Sequence, residues 1–503
     1  MTQLLVGIDI GTYETKGVLV DTSGEVRAEA RARHGISTPR PGHVEHDADA
    51  VWWGDLVTVA NELMRSLAEG DELLGLGCSG IGPCVLPVDE QLRPLRPAIL
   101  YGVDTRAAAE IAELERILGR DEIFRRSGNA LTSQSVGPKM LWVERNEPEV
   151  AARTRWYLTS QSYLVAKLTG RVVIDHATAG YAHPFYELGE LRYNVDGLEG
   201  TVPPEKLPDV AWSSDIAGTI TAEAAAETGL PEGLPVVVGT TDSPAEAVGS
   251  SVMAPGDLML QLGSTGYLIQ VNDRPVANDV LWSAPWVLPG RFVLAAGTST
   301  GGTATRWIAE QLGLDHGDGD AALFGRLMEL ARSAPAGSNG VLHLPHFAGE
   351  RTPFHDPDAR GAFIGLSLSS GRAELARAVS EGVGHSVALA LSTLVDQAQG
   401  DPRIVAVGGG VKNEIIARTI VDVTGYGMAR AETLGASYGD AILAGIGIGL
   451  LSEADAAGWP ALGDPVQPGD GDGTDAIRRA HDDYRRNYWA LRSAREHGEG
   501  EPR

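Results

Sequence analysis

Two acidic residues stand where a carboxylate is expensive. Asp9 lies in Gly7-Ile8-Asp9-Ile10-Gly11, inside an apolar run, and Asp242 lies in Gly239-Thr240-Thr241-Asp242-Ser243, directly after another. A buried carboxylate without a partner costs several kcal/mol, so each needs hydrogen bonds, an ion or a chemical task. For Asp9 the functional reading is a magnesium ion faced through water, because Mg²⁺ keeps several waters and takes few protein carboxylates. The structural reading, a salt-bridged or hydrogen-bonded residue, stays open for both positions. Three turns follow strand-like runs: Gly11-Thr12-Tyr13-Glu14-Thr15-Lys16, Gly263-Ser264-Thr265-Gly266 and Gly408-Gly409-Gly410. Glycine lets the backbone approach a ligand closely, so successive N–H groups can converge on phosphate oxygens while hydroxyls add donors. None carries the Gly-Lys-Ser/Thr of a P-loop or the G-x-G-x-x-G of a dinucleotide fold. One such turn is ordinarily a plain tight turn; three, two of them with an Asp-bearing strand or turn nearby, point to a phosphate-bearing ligand.

The elements that hold these residues are interleaved strands and helices. LLVGIDIGTYETKGVLVDTSGEVRAEARARH reads as a three-stranded antiparallel meander from residue 4. Val51, Trp52, Leu56, Val59, Leu63 and Leu67 recur at helical spacing over 49–68, and LLGLGCSGIGPCVLPVD reads as strand, loop, strand. Such alternation predicts an α/β architecture with mixed sheets. The 184–215 stretch, rich in Pro and Gly and without a period, reads as a surface excursion. PVVVGTTDSPAEAVGS and then DLMLQLGSTGYLIQ repeat the opening logic, so the chain restarts its meander near residue 250, with a boundary around Ala247 to Pro255. Leu375, Val379, Val383, Val387, Leu391 and Leu394 mark one face of a long helix over 373–397, which leads into the strand RIVAVGGGVKN. Asn413 is placed to cap the next helix and Gly425 to end it. A polar helix follows around 474–495, then a frayed tail.

Composition limits the partners. The 503 residues contain 67 Asp/Glu and 41 Lys/Arg, a formal charge of −26, which argues against nucleic acid or an anionic membrane surface. The longest apolar stretch noted, AILAGIGIGLL at 441–451, is shorter than the ~20 residues of a membrane span, and the N-terminus lacks a signal pattern. A cytoplasmic protein is expected. Cys78 and Cys84 are the only two cysteines and read as reduced thiols, a regulatory disulfide being the alternative.

In order along the chain, VGIDIGTYETKGVLVD, RPAILYGVDTRA, GPKMLWVERNEPEV, YLVAKLTG, VVVGTTDSPAEAVG, HLPHFAGERTPFHDPDARGAFIGLSL, VAVGGGVKNEIIARTIVDVTG and LGASYGDAILAG resemble the successive motifs of the FGGY carbohydrate kinases, with a xylulokinase-like pattern. The resemblance implies two actin-like ATPase (ribonuclease-H-like) domains with mixed sheets around a central cleft: a sugar-binding domain over 1–248, a nucleotide-binding domain over 249–455, and a C-terminal extension over 456–503. It implies ATP and Mg²⁺ as cofactors, a small-molecule sugar as partner, and a homodimer as one state open to the chain. Asp242 matches the family's general base and Asp9 the strand carboxylate near magnesium. Thr12 and Lys16 match the turn at the terminal phosphates, and Ser264 and Thr265 the second phosphate loop. Gly302, Gly409, Gly410 and Asn413 match the nucleotide pocket. The Gly-Glu-Arg-Thr-Pro segment at 349–353 is a family mark whose role reads as structural.

The sugar pocket departs from the pattern. Where xylulokinase-like members carry Gln-Met-His-Gly, this chain reads Ile81-Gly82-Pro83-Cys84, so Pro83 replaces a histidine and offers no side-chain donor. Gly82, Pro83, Asp104, Arg106 and Asp242 are the substrate-pocket candidates; the alternative for Asp104 and Arg106 is an exposed ion pair opening a helix over 105–118. The expected activity is ATP-dependent phosphorylation of a primary hydroxyl of a ketose, a pentulose such as D-xylulose. Ribulose, fuculose, erythritol or glycerol are the alternatives within that chemistry, and a non-sugar actin-like ATPase or a sugar-responsive regulator the alternatives outside it.

Overall fold

Seven of the eight residues of the first strand are buried, because both of its faces are covered by helices. The computed structural model describes residues 2–314, 317, 319–397, 401–431 and 435–497. They form two compact units that are discontinuous in sequence: unit 1 comprises Met1–Pro255, Val271–Val293 and Thr433–Ala461, and unit 2 comprises Gly256–Gln270, Leu294–Glu432 and Leu462–Arg503.

Unit 1 is built on β1 (Gln3–Ile10), β2 (Glu14–Asp21), β3 (Val26–Arg33), β4 (Glu72–Gly80), β5 (Ile216–Thr219), β6 (Pro235–Val237) and the short β7 (Thr240–Thr241). Their order is β5-β6-β4-β1-β2-β3, with β7 paired to the end of β4. The β1-β2-β3 meander is antiparallel, as the alternating sequence predicts, while β1 and β4 run parallel. Register then decides which side chains meet: Asp9 pairs with Lys16 on β2 and with Ser79 on β4. Side chains two apart on a strand share a face, so Gly7 and Asp9 point together, as do Gly77 and Ser79. That face is covered by the helix Ala436–Gly447. The two glycines permit its approach: a Cβ at Gly7 would lie 1.8 Å from the Ser437 carbonyl oxygen, and one at Gly77 2.2 Å from that of Asp440. Glycine inside a strand weakens it, and here the close helix contact is the reason for it. The opposite face packs on the helix Gly54–Arg65, where Gly17 makes room for Val59.

The 184–215 segment is not a surface excursion. Phe185, Leu198, Val202 and Leu207 are buried in one cluster with Leu114, Ile123 and Leu141. Its Pro and Gly break the period without making it polar, so its apolar residues reach the interior from irregular backbone.

Unit 2 repeats the opening. β8 (Asp257–Leu262) and β9 (Gly266–Asn272) form an antiparallel pair, followed by β10 (Phe292–Thr298), β11 (Arg403–Val407) and β12 (Met428–Arg430), in the order β10-β9-β8-β11-β12. β8, β11 and β12 are parallel, so here too the first strand of a hairpin lies between its partner and a later parallel strand. The helix Arg372–Val395 is long and apolar enough to cross a bilayer by length and composition alone, but 83% of its most apolar window is buried within the protein. Glu350 of the Gly-Glu-Arg-Thr-Pro segment is buried and accepts from Ser299 N at 2.9 Å and Ser386 Oγ at 3.0 Å, an internal brace. Asn413 caps the helix Glu414–Thr424, its side chain accepting from the amides of Ile415 and Ile416, and Gly425 ends that helix at φ +78. The helix Asp472–His497 buries Tyr484 and Tyr488 against Leu344 and Ala359 rather than trailing from the unit; of the tail expected to fray, 496–503, the first two residues end this helix and 498–503 lie outside the described residues.

Candidate active site

In unit 1, β1, β4 and β7 end together and bring two of the sequence candidates to one place. Asp9 is 8% exposed, and its Oδ1 accepts from Ser79 Oγ at 3.0 Å. Burial pushes its pKa up to about 6, against the Ser79 hydrogen bond and the Lys16 charge, which both favour the carboxylate. β7 delivers Asp242 to the first turn of the helix Asp242–Val248, where Oδ1 accepts from Ser243 N at 2.7 Å. Burial, and then the negative charge of Asp9, push Asp242 up to about 7. Asp242 therefore feels the charge of Asp9 and is poised near neutrality, where a general base works best.

Thr12 lies in the turn between β1 and β2 with its Oγ1 3.4 Å from the Tyr101 hydroxyl. Lys16 sits opposite Asp9, with its ammonium 3.6 Å from Glu14. Gly82 lies against the turn that carries Asp242: a Cβ there would be 2.0 Å from Thr241 Cγ2. Pro83 beside it is buried. Asp104 and Arg106 correct both expectations made for them. Their side chains are 0% exposed and paired at 2.7 Å, so the pair is internal rather than exposed. The Asp104 oxygens also accept from Val44 N at 2.6 Å and Arg106 N at 3.1 Å, which leaves no acceptor for a sugar hydroxyl. Cys78 and Cys84 are free and buried, and burial pushes both thiols up, away from thiolate chemistry.

Sequence reasoning missed three groups here. Ser79 bridges to Asp9, and Tyr101, whose phenol is pushed up by burial and by Asp242, lines the same region. Asp440 donates or accepts at Ser79 from a helix that follows 361 residues later. Its one sequence signal is a lone acidic residue in an otherwise uncharged helix, ASYGDAILAGIG.

In unit 2, Ser264, Gly302, Gly409, Gly410 and Asn413 line a single cavity of about 620 Å³; Thr265 is in the same turn as Ser264 but does not line it. The loops around it are stitched by backbone: Gly301 N donates to Ser264 O at 2.8 Å, and Gly302 N to Gly263 O at 2.8 Å. A Cβ at Gly302 would meet Gly263 O at 2.8 Å, and one at Gly410 would meet Leu262 Cγ at 2.6 Å, so glycine keeps this wall thin. Asn413 spends its carbonyl on the helix cap and its amide on Ser380 Oγ at 3.2 Å, so it shapes the cavity more than it offers free groups. Phe324 and Met328 form an apolar wall, and Arg306 and Lys412 supply positive charge that sequence reasoning did not identify. Such a pocket suits a flat apolar group with a charged tail.

The model of the N-terminal domain of the FGGY family of carbohydrate kinases matches residues 4–249, and that of the C-terminal domain matches residues 258–448. The chain belongs to the FGGY family. It is a carbohydrate kinase, a phosphotransferase with an alcohol group as acceptor, and its two units have the actin-like ATPase fold of the sugar kinases. It is similar to the xylulose kinase of Escherichia coli K12, 29% identical over 428 residues, 84% of this chain and 85% of that one. The gluconokinase of Bacillus subtilis is 25% identical over 443 residues, 84% of this chain and 83% of that one. Among solved structures, the xylulose kinase from Rhodospirillum rubrum superposes with a TM-score of 0.89 at 30% identity, covering 97% of this chain and 99% of that one.

Proposed function

We propose that this FGGY kinase transfers the γ-phosphate of ATP to a primary hydroxyl of a ketose, a pentulose such as D-xylulose, with Asp242 as general base. The observation that carries the reading is the half-buried Asp242 carboxyl at the ends of β1, β4 and β7, raised to about 7 beside Asp9. Asp242 takes the hydroxyl proton as the sugar oxygen attacks the γ-phosphorus and the bond to ADP breaks. Such transfer is mostly positioning and charge stabilisation. Thr12 and the Lys16 ammonium serve the terminal phosphates. The Ser264–Thr265 turn serves the chain of phosphates, and the cavity of Gly302, Gly409, Gly410 and Asn413 takes the nucleoside. Among the described residues no cluster of three or more His, Cys, Asp or Glu could cage a metal. Asp9, a single hard oxygen ligand at the edge of burial, fits a Mg²⁺ that arrives with the nucleotide and keeps its waters. When bound, that ion offsets charge on the phosphates. An enzyme that draws on ATP in this way is placed in the cytoplasm.

The pentulose assignment is supported by the names of the E. coli and R. rubrum relatives. A second reading, another sugar or polyol, is favoured by Pro83, which offers no hydrogen-bond donor beside Gly82, and by the gluconokinase similarity. ADP release measured over D-xylulose, D- and L-ribulose, L-fuculose, erythritol, glycerol and gluconate decides between them. D-Xylulose is expected to give the highest kcat/KM; a rank well below another substrate overturns the pentulose assignment and leaves the kinase chemistry in place.

The acid limb of the pH profile tests the base. Asp242 acts only when ionised, so kcat/KM for the sugar is expected to fall about tenfold per unit below pH 7, steepening as Asp9, raised to about 6, also protonates. A profile flat down to pH 5.5 rules Asp242 out as the base.

A further inference from the structure

Asp440 is fully buried, and it is the one charged residue on the helix Ala436–Gly447. Its Oδ2 is 2.7 Å from Ser79 Oγ, and the same Oγ is 3.0 Å from Asp9 Oδ1. Ser79 has one hydroxyl hydrogen, so it cannot donate to two carboxylates at once. If both acids were ionised, one of the two short contacts would set lone pair against lone pair in a largely buried site, a cost of the kind buried polar groups avoid. The other Asp440 oxygen, Oδ1, is buried without a hydrogen-bond partner, and no cation is paired with Asp440 among the described residues.

We propose that Asp440 is a neutral carboxylic acid and a positioning residue: its O–H donates to Ser79 Oγ, and the Ser79 O–H donates to Asp9 Oδ1, so the relay has one direction and ends on ionised Asp9. The charges facing this cluster act in one direction, and the Ser79 backbone hydrogen bond opposes them. Asp9 and Asp242 bring negative charge toward Asp440, Glu246 acts with the same sign on both of them, and the Cys78 thiol is neutral. Burial and those charges push Asp440 well above the usual carboxylate range. The backbone holds the geometry: Gly77 admits the Asp440 carbonyl against β4, and Gly439 admits Ala245 O from the helix that begins at Asp242. One helix thereby sets the orientation of Asp9 and braces the element that carries Asp242. The consequence for turnover rests on the reading of Asp9 as the phosphate-site carboxylate; the proton's place does not.

Asp440→Asn keeps a donor toward Ser79, whereas Asp440→Leu removes it. Asp440→Asn is expected to retain at least about a third of wild-type kcat, and Asp440→Leu to lose about ten- to a hundredfold in kcat with little change in the sugar KM. Equal losses in two folded variants overturn the proposal. A second readout needs no turnover and no folded Leu variant. The infrared difference spectrum of the unliganded enzyme at pH 8, wild type minus Asp440→Asn, is expected to show the carbonyl band of a protonated carboxyl group. A carboxylate band in its place overturns the relay. Asp9→Asn with unchanged kcat would overturn the role given to Asp9 while the infrared band still decides the relay.

Discussion

Asp242→Asn is expected to lower kcat by about 10²–10⁴-fold, to leave nucleotide binding nearly unchanged, and to raise thermal stability at pH 8. The first effect follows from loss of the base, because the amide cannot accept the sugar hydroxyl's proton. The second follows from the lining: Asp242 is not among the residues of the cavity read as the nucleoside site. The third follows from linkage. Burial raises Asp242 from 3.8 to about 7, so the folded state favours its neutral form. Below pH 3.8 the group is neutral folded or unfolded and costs nothing. As pH rises to 7 the unfolded chain ionises it first, and above 7 the folded state carries a penalty of up to roughly 4 kcal/mol. An uncharged isostere recovers part of that, so the gain in unfolding midpoint is expected at pH 8 and shrinks toward pH 5. Scanning calorimetry at the two pH values, titration with a non-hydrolysable ATP analogue and sugar-dependent ADP release check the three parts. Turnover within threefold of wild type sinks the catalytic role, and a lower midpoint at pH 8 sinks the account of its burial.

Gly7→Ala is expected to destabilise unit 1 by about 3 kcal/mol or more, and to take turnover with it. The added Cβ would lie 1.8 Å from Ser437 O and 2.8 Å from Ala441 N, backbone atoms of a helix that cannot yield singly. Pushing that helix off β1 moves Asp440, and through Ser79 the carboxyl of Asp9. Gly35→Ala is the control, because a Cβ there meets nothing within 4 Å. Urea unfolding compares the two, and a Gly7→Ala variant within 1 kcal/mol of wild type would show that the close approach is not needed.

Much of this site is legible locally. Asp9 stands out because an acid interrupts the apolar run of its strand, and the Gly/Ser/Thr turns stand out because they follow such strands. Both signals lie within a dozen residues, where the period-2 pattern operates. The same locality misreads Asp104 and Arg106. Two apart in sequence, they look like an exposed ion pair at a helix start, but the Val44 amide, 60 residues earlier, and Arg106 itself use up the Asp104 oxygens. The 184–215 segment misleads in the opposite way, since irregular backbone hides how many of its apolar residues reach the interior.

The sequence by itself determined the meander, the turn glycines, the two candidate carboxylates and the order of motifs that mark an FGGY kinase. Each of those is written in near neighbours, through side-chain alternation or backbone freedom. Only the tertiary structure decided why Gly7 and Gly77 are glycines, and that Asp440 meets Ser79 across 361 residues. The helix Ala436–Gly447 belongs to unit 1 although most of unit 2 precedes it, and a contact closed by so long a loop leaves no periodicity for sequence to show. What makes Asp9 and Asp242 chemically distinct is likewise tertiary: burial raises both pKa values and the charge of Asp9 raises that of Asp242 further, effects that exist only once the strands that carry them end side by side.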